Sequence, residues 1–129
     1  MHSIGLDLTE LERIEQSMKN PRFCMRILGK EEYSQLQRRG FPVQSVAASF
    51  CAKEAFAKAI GTGVRGFRLA EVQLLRETTG KPYLRLAGKA KALAEKLGYA
   101  EFSVSVTHSR AYASAVVLAQ RGTADGFKL

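Results

Sequence analysis

From Val43 to Ile60 the chain runs VQSVAASFCAKEAFAKAI, with no glycine or proline, between Pro42 and Gly61. The stretch predicts a helix, and Gly61 stands where a left-handed C′ residue ends one. Wound as a helix, it is apolar or small on almost every side. A helix of that kind must be buried on almost every side, so the other elements have to wrap it. Its only charged residues are Lys53, Glu54 and Lys58. The whole chain has 129 residues, which fits one domain built around this helix.

The flanking sequence supplies the wrapping. Ile4, Leu6 and Leu8 alternate with Gly5 and Asp7, which predicts a short half-buried strand. Thr9 and Glu12 fit a capping box opening a helix that continues through Leu11, Ile14 and Met18. Asn20-Pro21 marks a break, with Pro21 as first residue of a short helix carrying Phe23, Ile27 and Leu28 and stopped by Gly29. Lys30–Arg39 predicts a third helix, polar apart from Tyr33 and Leu36 and so placed on the surface. Beyond Gly61 come strands over Leu69–Arg76 and Pro82–Leu86, forming a hairpin around Gly80. A Lys/Ala-rich helix over Gly88–Leu97 follows, closed by Gly98. Phe102, Val104 and Val106 alternate with Ser103, Ser105 and Thr107 in a strand, His108-Ser109-Arg110 turns the chain, and Tyr112–Ala119 is the last strand. Short turns between successive strands imply antiparallel pairing. The expected class is α+β: an antiparallel sheet packed against a long buried helix and several shorter helices, one domain over 1–120 with a frayed tail over 121–129.

Hydrophobic residues make up 46% and charged residues 25%, which excludes a disordered, collagen-like or disulfide-scaffold chain. Twenty Lys plus Arg against 12 Asp plus Glu give a net charge of +8. Such a surface suits a polyanionic partner: nucleic acid, an anionic membrane, a phosphate-rich cofactor or an acidic protein. Cys24 and Cys51 are the only cysteines, and both fall in predicted helices, so they read as thiols in a reducing compartment. The N-terminus reaches Asp7 before any apolar run forms, unlike a signal peptide. Ala111–Ala119 falls short of the about 20 residues that span a bilayer. A cytoplasmic protein without a membrane span is expected.

Four features stand out for chemistry. Glu54 falls among Val43, Ala47, Phe50 and Ala57 on the buried helix, where a carboxylate is costly unless paired. Its ordinary explanation is an i,i+4 bridge to Lys58, and the other is a metal or phosphate site. Asp7 shares a strand face with Gly5, whose missing side chain leaves room beside it; the ordinary explanation is a favourable position before the next helix. Gly61–Gly66, with Arg65, is a glycine-rich loop of the kind whose backbone N–H groups cradle phosphate. It follows a helix C-terminus, however, and lacks a P-loop ending, so a plain C-cap and turn competes. Thr107-His108-Ser109-Arg110 sits at a strand tip, where polar residues usually serve the turn itself. The scattered cysteines and histidines make no zinc site. Two carboxylates do suit Mg²⁺, which binds through one or two of them plus substrate phosphates, while Lys, Arg and His suit the phosphates.

Taken together, Gly5-Leu6-Asp7, the run Phe50-Cys51-Ala52-Lys53-Glu54-Ala55-Phe56-Ala57-Lys58-Ala59-Ile60-Gly61, Gly80-Lys81-Pro82 and Ser105-Val106-Thr107-His108-Ser109 resemble the holo-acyl-carrier-protein synthases. These are small bacterial 4′-phosphopantetheinyl transferases, and the resemblance runs from Ile4 to about Val117. Phe50 stands where many members of the wider family carry Trp. The resemblance implies a reaction in which a serine of apo-acyl carrier protein attacks the β-phosphate of coenzyme A. The 4′-phosphopantetheine arm moves to the serine and 3′,5′-ADP leaves, a step of fatty acid biosynthesis. It implies Asp7 and Glu54 as Mg²⁺ ligands, Lys58 as a catalytic lysine near the phosphates, and a coenzyme A site that takes in Lys58, Gly61, Gly63, Arg65, Lys81, Thr107, His108 and Ser109. It leaves the proton acceptor open among Asp7, Glu54 and a metal-bound water. Arg13, Arg22 and Arg26 on the first two helices match basic residues that face the acidic carrier protein. A homotrimer with sites between neighbouring subunits is also implied. Two other readings compete: a basic nucleic-acid-binding module, which gives Glu54 no purpose and lacks aromatic interleaving, and a non-catalytic coenzyme A-binding regulator, which needs no pair of carboxylates.

Overall fold

The computed structural model describes residues 2–122. In chain order it comprises β1 (His2–Glu10), α1 (Leu11–Ser17), α2 (Phe23–Ile27), α3 (Lys30–Arg38) and α4 (Val43–Ile60). A 3₁₀ turn at Leu69–Glu71 leads into β2 (Val72–Arg76), then β3 (Pro82–Leu86), α5 (Gly88–Lys96), β4 (Tyr99–His108) and β5 (Tyr112–Arg121). The class is α+β, as expected. One antiparallel sheet has the order β1-β5-β4, and β2 and β3 form a separate antiparallel hairpin. No helix among the described residues is long and apolar enough to cross a membrane.

Helix α4 occupies the predicted residues and ends on Gly61 in the left-handed region, φ 83°. Val46, Ala47, Cys51, Ala52, Ala55 and Phe56 are wholly buried, and the helix packs directly on β1 and β5. The approach is unusually close at Gly5. A Cβ there would lie 1.9 Å from the Ala55 carbonyl oxygen and 2.6 Å from the Ala59 nitrogen. The space that Gly5 leaves is therefore filled by the backbone of α4. Ala113, Ala115, Val117 and Ala119 give β5 the same small inner face.

This closeness inverts the reading of β1. Its large apolar residues do not enter the core: Ile4, Leu6 and Leu8 are 65%, 62% and 62% exposed on the outer face. The buried residues are Gly5 and Thr9, because only small side chains fit beneath α4. Thr9 is a strand residue paired with Ala113 rather than an N-cap, and its hydroxyl donates to Asp7 Oδ2 at 3.1 Å. The cap position falls on Glu10, without a side-chain bond. Pro21 is likewise outside α2, because Asn20 Oδ1 accepts the Arg22 N–H at 2.9 Å and holds that segment in a turn.

Helix α3 lies at the surface as expected, with Lys30, Glu31, Gln37 and Arg38 exposed, but it buries a charged residue on its inner face. Glu32 is 0% and Leu36 6% exposed, and α3 packs against β2. Lys53, also 0% exposed, reaches from α4 to Glu32 Oε1 at 2.7 Å and to the Val72 carbonyl. Burial pushes the Lys53 pKa down, while the Glu32 carboxylate opposes that shift. Strand β2 begins at Val72, three residues later than the pattern suggested, because Leu69–Glu71 form the 3₁₀ turn. At the other end, Arg121 completes β5 and the Gly122 N–H donates to the Gly98 carbonyl at 2.9 Å, so the tail begins later than residue 121; the rest of it lies outside the described residues. Cys51 is buried and Cys24 half-buried, both as free thiols.

Gly5→Ala forces β1 away from α4. We expect a loss of about 1–3 kcal/mol of stability, the usual cost of overpacking, measured by denaturant unfolding. Stability equal to wild type would mean that the strand and helix can separate freely.

Candidate active site

Asp7 and Glu54 meet in a small cleft of about 120 Å³, lined also by Leu8, Thr9, Arg13 and Phe50. β1 aims Asp7 toward α4, and Glu54 stands on the α4 surface next to it. Lys58 does not bridge to Glu54. Its Nζ lies 3.2 Å from Asp7 Oδ1 and 3.0 Å from the Leu6 carbonyl oxygen, which ties α4 to β1. Asp7 thus has one carboxylate oxygen on Lys58 and the other on Thr9. Glu54 makes no ion pair with a described residue within 4.0 Å. Burial raises its pKa, as does the neighbouring Asp7 charge, while Lys58 and Arg13 pull it down.

Two carboxylates facing one cleft repel each other, and a divalent cation removes the repulsion. The donor set is hard oxygen and small. Among the described residues no group of three or more His, Cys, Asp or Glu could hold a metal. The pair therefore fits Mg²⁺, which takes most of its ligands from water and phosphate. Arg13, read from sequence as a partner-facing residue, lines this cleft and lies over the Phe50 ring at 5.8 Å. Cys51, close by, is held inert: burial above all pushes its thiol up to about 11, and it donates to the Ala113 carbonyl.

Thr107 and His108, with Ser109, share a small cleft of about 170 Å³ with Leu8, which also borders the cleft of Asp7 and Glu54. Thr107 and His108 also line an open cleft of about 450 Å³ with Arg39, Gln44, Ser45, Ala48, Arg76, Gly80 and Val106. β1 and β4 are opposite edges of the sheet, and α4 stands between the Asp7–Glu54 cleft and this larger one, presenting Phe50 and Glu54 to the first and Gln44, Ser45 and Ala48 to the second. Arg39 and Arg76 were not singled out from sequence. Each is an ordinary basic residue at the end of a predicted element, and only the fold brings them together. Their proximity, after burial, lowers the Arg76 pKa. Lys81 follows Gly80 in the β2–β3 turn, where its carbonyl accepts the Glu77 N–H. Ser109 closes the β4–β5 turn, its Oγ accepting the Tyr112 N–H at 3.2 Å.

The glycine loop is a C-cap. The N–H groups of Gly61, Thr62 and Gly63 all turn back to the Ala57 carbonyl, and that of Arg65 goes to Gly63. The N–H groups of Gly61 and Gly63 are thus engaged within the cap, and Arg65 is exposed on the same loop. Arg22 precedes α2 and Arg26 lies on it; both are exposed.

The family model for the 4′-phosphopantetheinyl transferase superfamily matches residues 3–117. The chain belongs to that superfamily. It is 41% identical to the holo-[acyl-carrier-protein] synthase of Ruminiclostridium cellulolyticum, over 97% of this chain and 95% of that relative. Among solved structures, the holo-[acyl-carrier-protein] synthase of Neisseria meningitidis superposes with a TM-score of 0.86 at 34% identity, covering 92% of this chain and 98% of that one. The Bacillus anthracis synthase, solved in complex with coenzyme A (3′,5′-ADP), gives a TM-score of 0.75 at 29% identity, covering 93% and 96%. The resemblance read from the motifs is thus confirmed, and with it the phosphopantetheinyl transferase fold.

The raised pKa of Glu54 has two opposite consequences. Proton uptake by Glu54 favours the folded chain, a contribution that is full below the ordinary glutamate range and lost as pH rises through Glu54's own pKa. Glu54→Gln should therefore raise the metal-free melting temperature at neutral pH, with the difference vanishing in acid. As a metal-facing carboxylate Glu54 is expected to serve the reaction in its charged form, so the same variant should lose ~100-fold in rate, as removal of a transition-state electrostatic partner does. A variant that keeps near-normal rate and Mg²⁺ dependence would remove Glu54 from the site.

Proposed function

We propose that this chain moves the 4′-phosphopantetheine arm of coenzyme A onto a serine of apo-acyl carrier protein, releasing 3′,5′-ADP, in a Mg²⁺-dependent reaction of fatty acid biosynthesis in the cytoplasm. The observation that carries this reading is the Asp7–Glu54 pair facing one cleft beside Lys58, in a chain of the phosphopantetheinyl transferase superfamily. Asp7 and Glu54 would hold Mg²⁺, which when bound would neutralise charge on the pyrophosphate. Lys58, 55% exposed and anchored on Asp7, offers its remaining donor capacity to the same phosphates.

Thr107 and His108, together with Arg39 and Arg76, offer a second, basic wall for coenzyme A. The two halves flank β5 in one three-stranded sheet, and we assign them to a site completed between neighbouring copies, each contributing one half. An outer sheet face with Ile4, Leu6 and Leu8 exposed, and Val116 and Leu118 half-buried beside them, supports such an assembly, because exposed apolar patches mark interfaces. A closed homotrimer is the arrangement we propose. Arg13, Arg22 and Arg26, with the net charge of +8, suit an acidic carrier protein, Arg13 also reaching the catalytic cleft.

The direct test incubates the protein with apo-acyl carrier protein, coenzyme A and Mg²⁺ and weighs the carrier protein. A gain equal to phosphopantetheine is expected. No gain with several carriers, with Mg²⁺ or Mn²⁺, would sink the reading. The shared site has its own test. Asp7→Ala and His108→Ala chains, each impaired at limiting coenzyme A, should recover about a quarter of wild-type activity when unfolded and refolded together in equal amounts, because random mixing pairs two intact halves at one interface in four. Mixtures no better than the sum of the separate variants would place the whole site in one chain.

A further inference from the structure

The most costly polar feature of the molecule lies in neither cleft. Lys53 and Glu32 are both 0% exposed, and their charges meet at 2.7 Å. The bonds of the pair tie α4 to α3 and both to β2. Glu32 Oε1 also accepts the Gly29 N–H at 3.0 Å, where α3 begins. Glu32 Oε2 accepts the Leu74 N–H at 3.0 Å, and Lys53 Nζ donates to the Val72 carbonyl, both on β2. The Glu32 N–H in turn donates to Gln73 Oε1 at 2.9 Å. A buried ion pair adds little net stability over apolar packing, but its hydrogen bonds fix direction and register.

What these bonds fix is the basic wall of the larger cleft. Arg76 ends β2, two residues after Leu74, and Arg39 caps the far end of α3. Gln35 of α3 clasps Arg76 by its backbone, accepting its N–H at 3.0 Å and donating to its carbonyl at 3.1 Å. The opposite wall, Gln44, Ser45 and Ala48, belongs to α4, the helix that carries Lys53. The one charged contact between α4 and the α3–β2 unit is therefore Lys53–Glu32, among the described residues.

We propose that Lys53 and Glu32 are positioning residues for coenzyme A: the buried pair sets the register of Arg39 and Arg76 against α4, and so the width and charge geometry of the cleft that also holds Thr107 and His108. This rests on the coenzyme A reading of that cleft. Lys53 adjoins Glu54 in sequence, so one helix holds the metal-facing carboxylate and the strut for the anion wall.

The test is Lys53→Met with Glu32→Gln, which removes both charges and keeps the side-chain shapes. Folding is followed by circular dichroism and melting, assembly by gel filtration, and steady-state constants are measured for both substrates. The double variant should fold and assemble, with the coenzyme A KM raised about tenfold and kcat, carrier-protein KM and Mg²⁺ half-saturation within about twofold. Calorimetric affinity for coenzyme A should fall by the same factor. An unchanged coenzyme A KM, where His108→Ala raises it, would overturn the positioning role and leave the cleft reading intact. If His108→Ala also leaves it unchanged, the cleft reading fails and the proposal with it. A kcat lowered in proportion to the folded fraction, with both KM values and the Mg²⁺ half-saturation unchanged, would make the pair structural only. Should the double variant not fold, Lys53→Arg is judged by the same criteria; failure of both to fold would show a folding requirement and overturn the proposal.

Discussion

The backbone of β1 lies on the backbone of α4 at Gly5 with no room for a side chain, and the placement of everything catalytic follows from that contact. The Ser3 hydroxyl donates to the Ala59 carbonyl one turn further along the helix and holds the approach from the N-terminal side. With the strand this close, Asp7 comes within reach of Lys58 and into the cleft with Glu54. A larger residue at position 5 would widen the gap by more than the reach of these bonds. Gly5 and Asp7 thus act as a unit: the first sets the distance, and the second uses it.

The same closeness explains why the sheet is built inside out. Alanines and glycine occupy the inner positions of β1 and β5, so the large aliphatic residues have only the outer face left to them. In a monomer that face would be a liability. It is economical if copies cover one another, since close packing inside each chain and apolar contact between chains then come from one alternating pattern.

Helix α4 also sorts its charges by partner. Lys53 is wholly buried and answered by Glu32, with further backbone bonds on both members. Lys58 is mostly exposed and answered by Asp7. Glu54, half-buried beside another carboxylate, is the one left electrostatically unfavourable, which is the state expected of a ligand or base rather than a structural residue. Part of this was legible in the sequence. The span of α4, its burial, the Gly61 stop and the β4–β5 hairpin follow from local pattern, and Asp7 and Glu54 stand out because their types conflict with their surroundings. Three things were not legible. The periodicity of β1 names its two faces without saying which is inward, since that depends on what packs there. The polar composition of α3 hides Glu32, whose partner lies on another element. The backbone donors of Gly61, Thr62 and Gly63 look free in sequence, and only the fold shows them turned back to Ala57.

The separation of the two clefts bears on why such a short chain suffices for a two-substrate reaction. A long cofactor needs contacts at both of its ends, and a single domain of this size has one sheet and one central helix to hang them on. With the carboxylates beside β1 and Thr107 and His108 on β4, neighbouring copies in the proposed homotrimer would supply opposite ends of one ligand. In a closed ring every interface is equivalent, so each copy contributes one carboxylate half and one basic half, and no half is left idle. An open dimer would complete at most one such head-to-tail interface and strand the outermost halves. Gly5 and the buried Lys53–Glu32 pair thus address one geometric demand at two scales, between strand and helix and between helix and hairpin, and the ring proposed above would address it between chains.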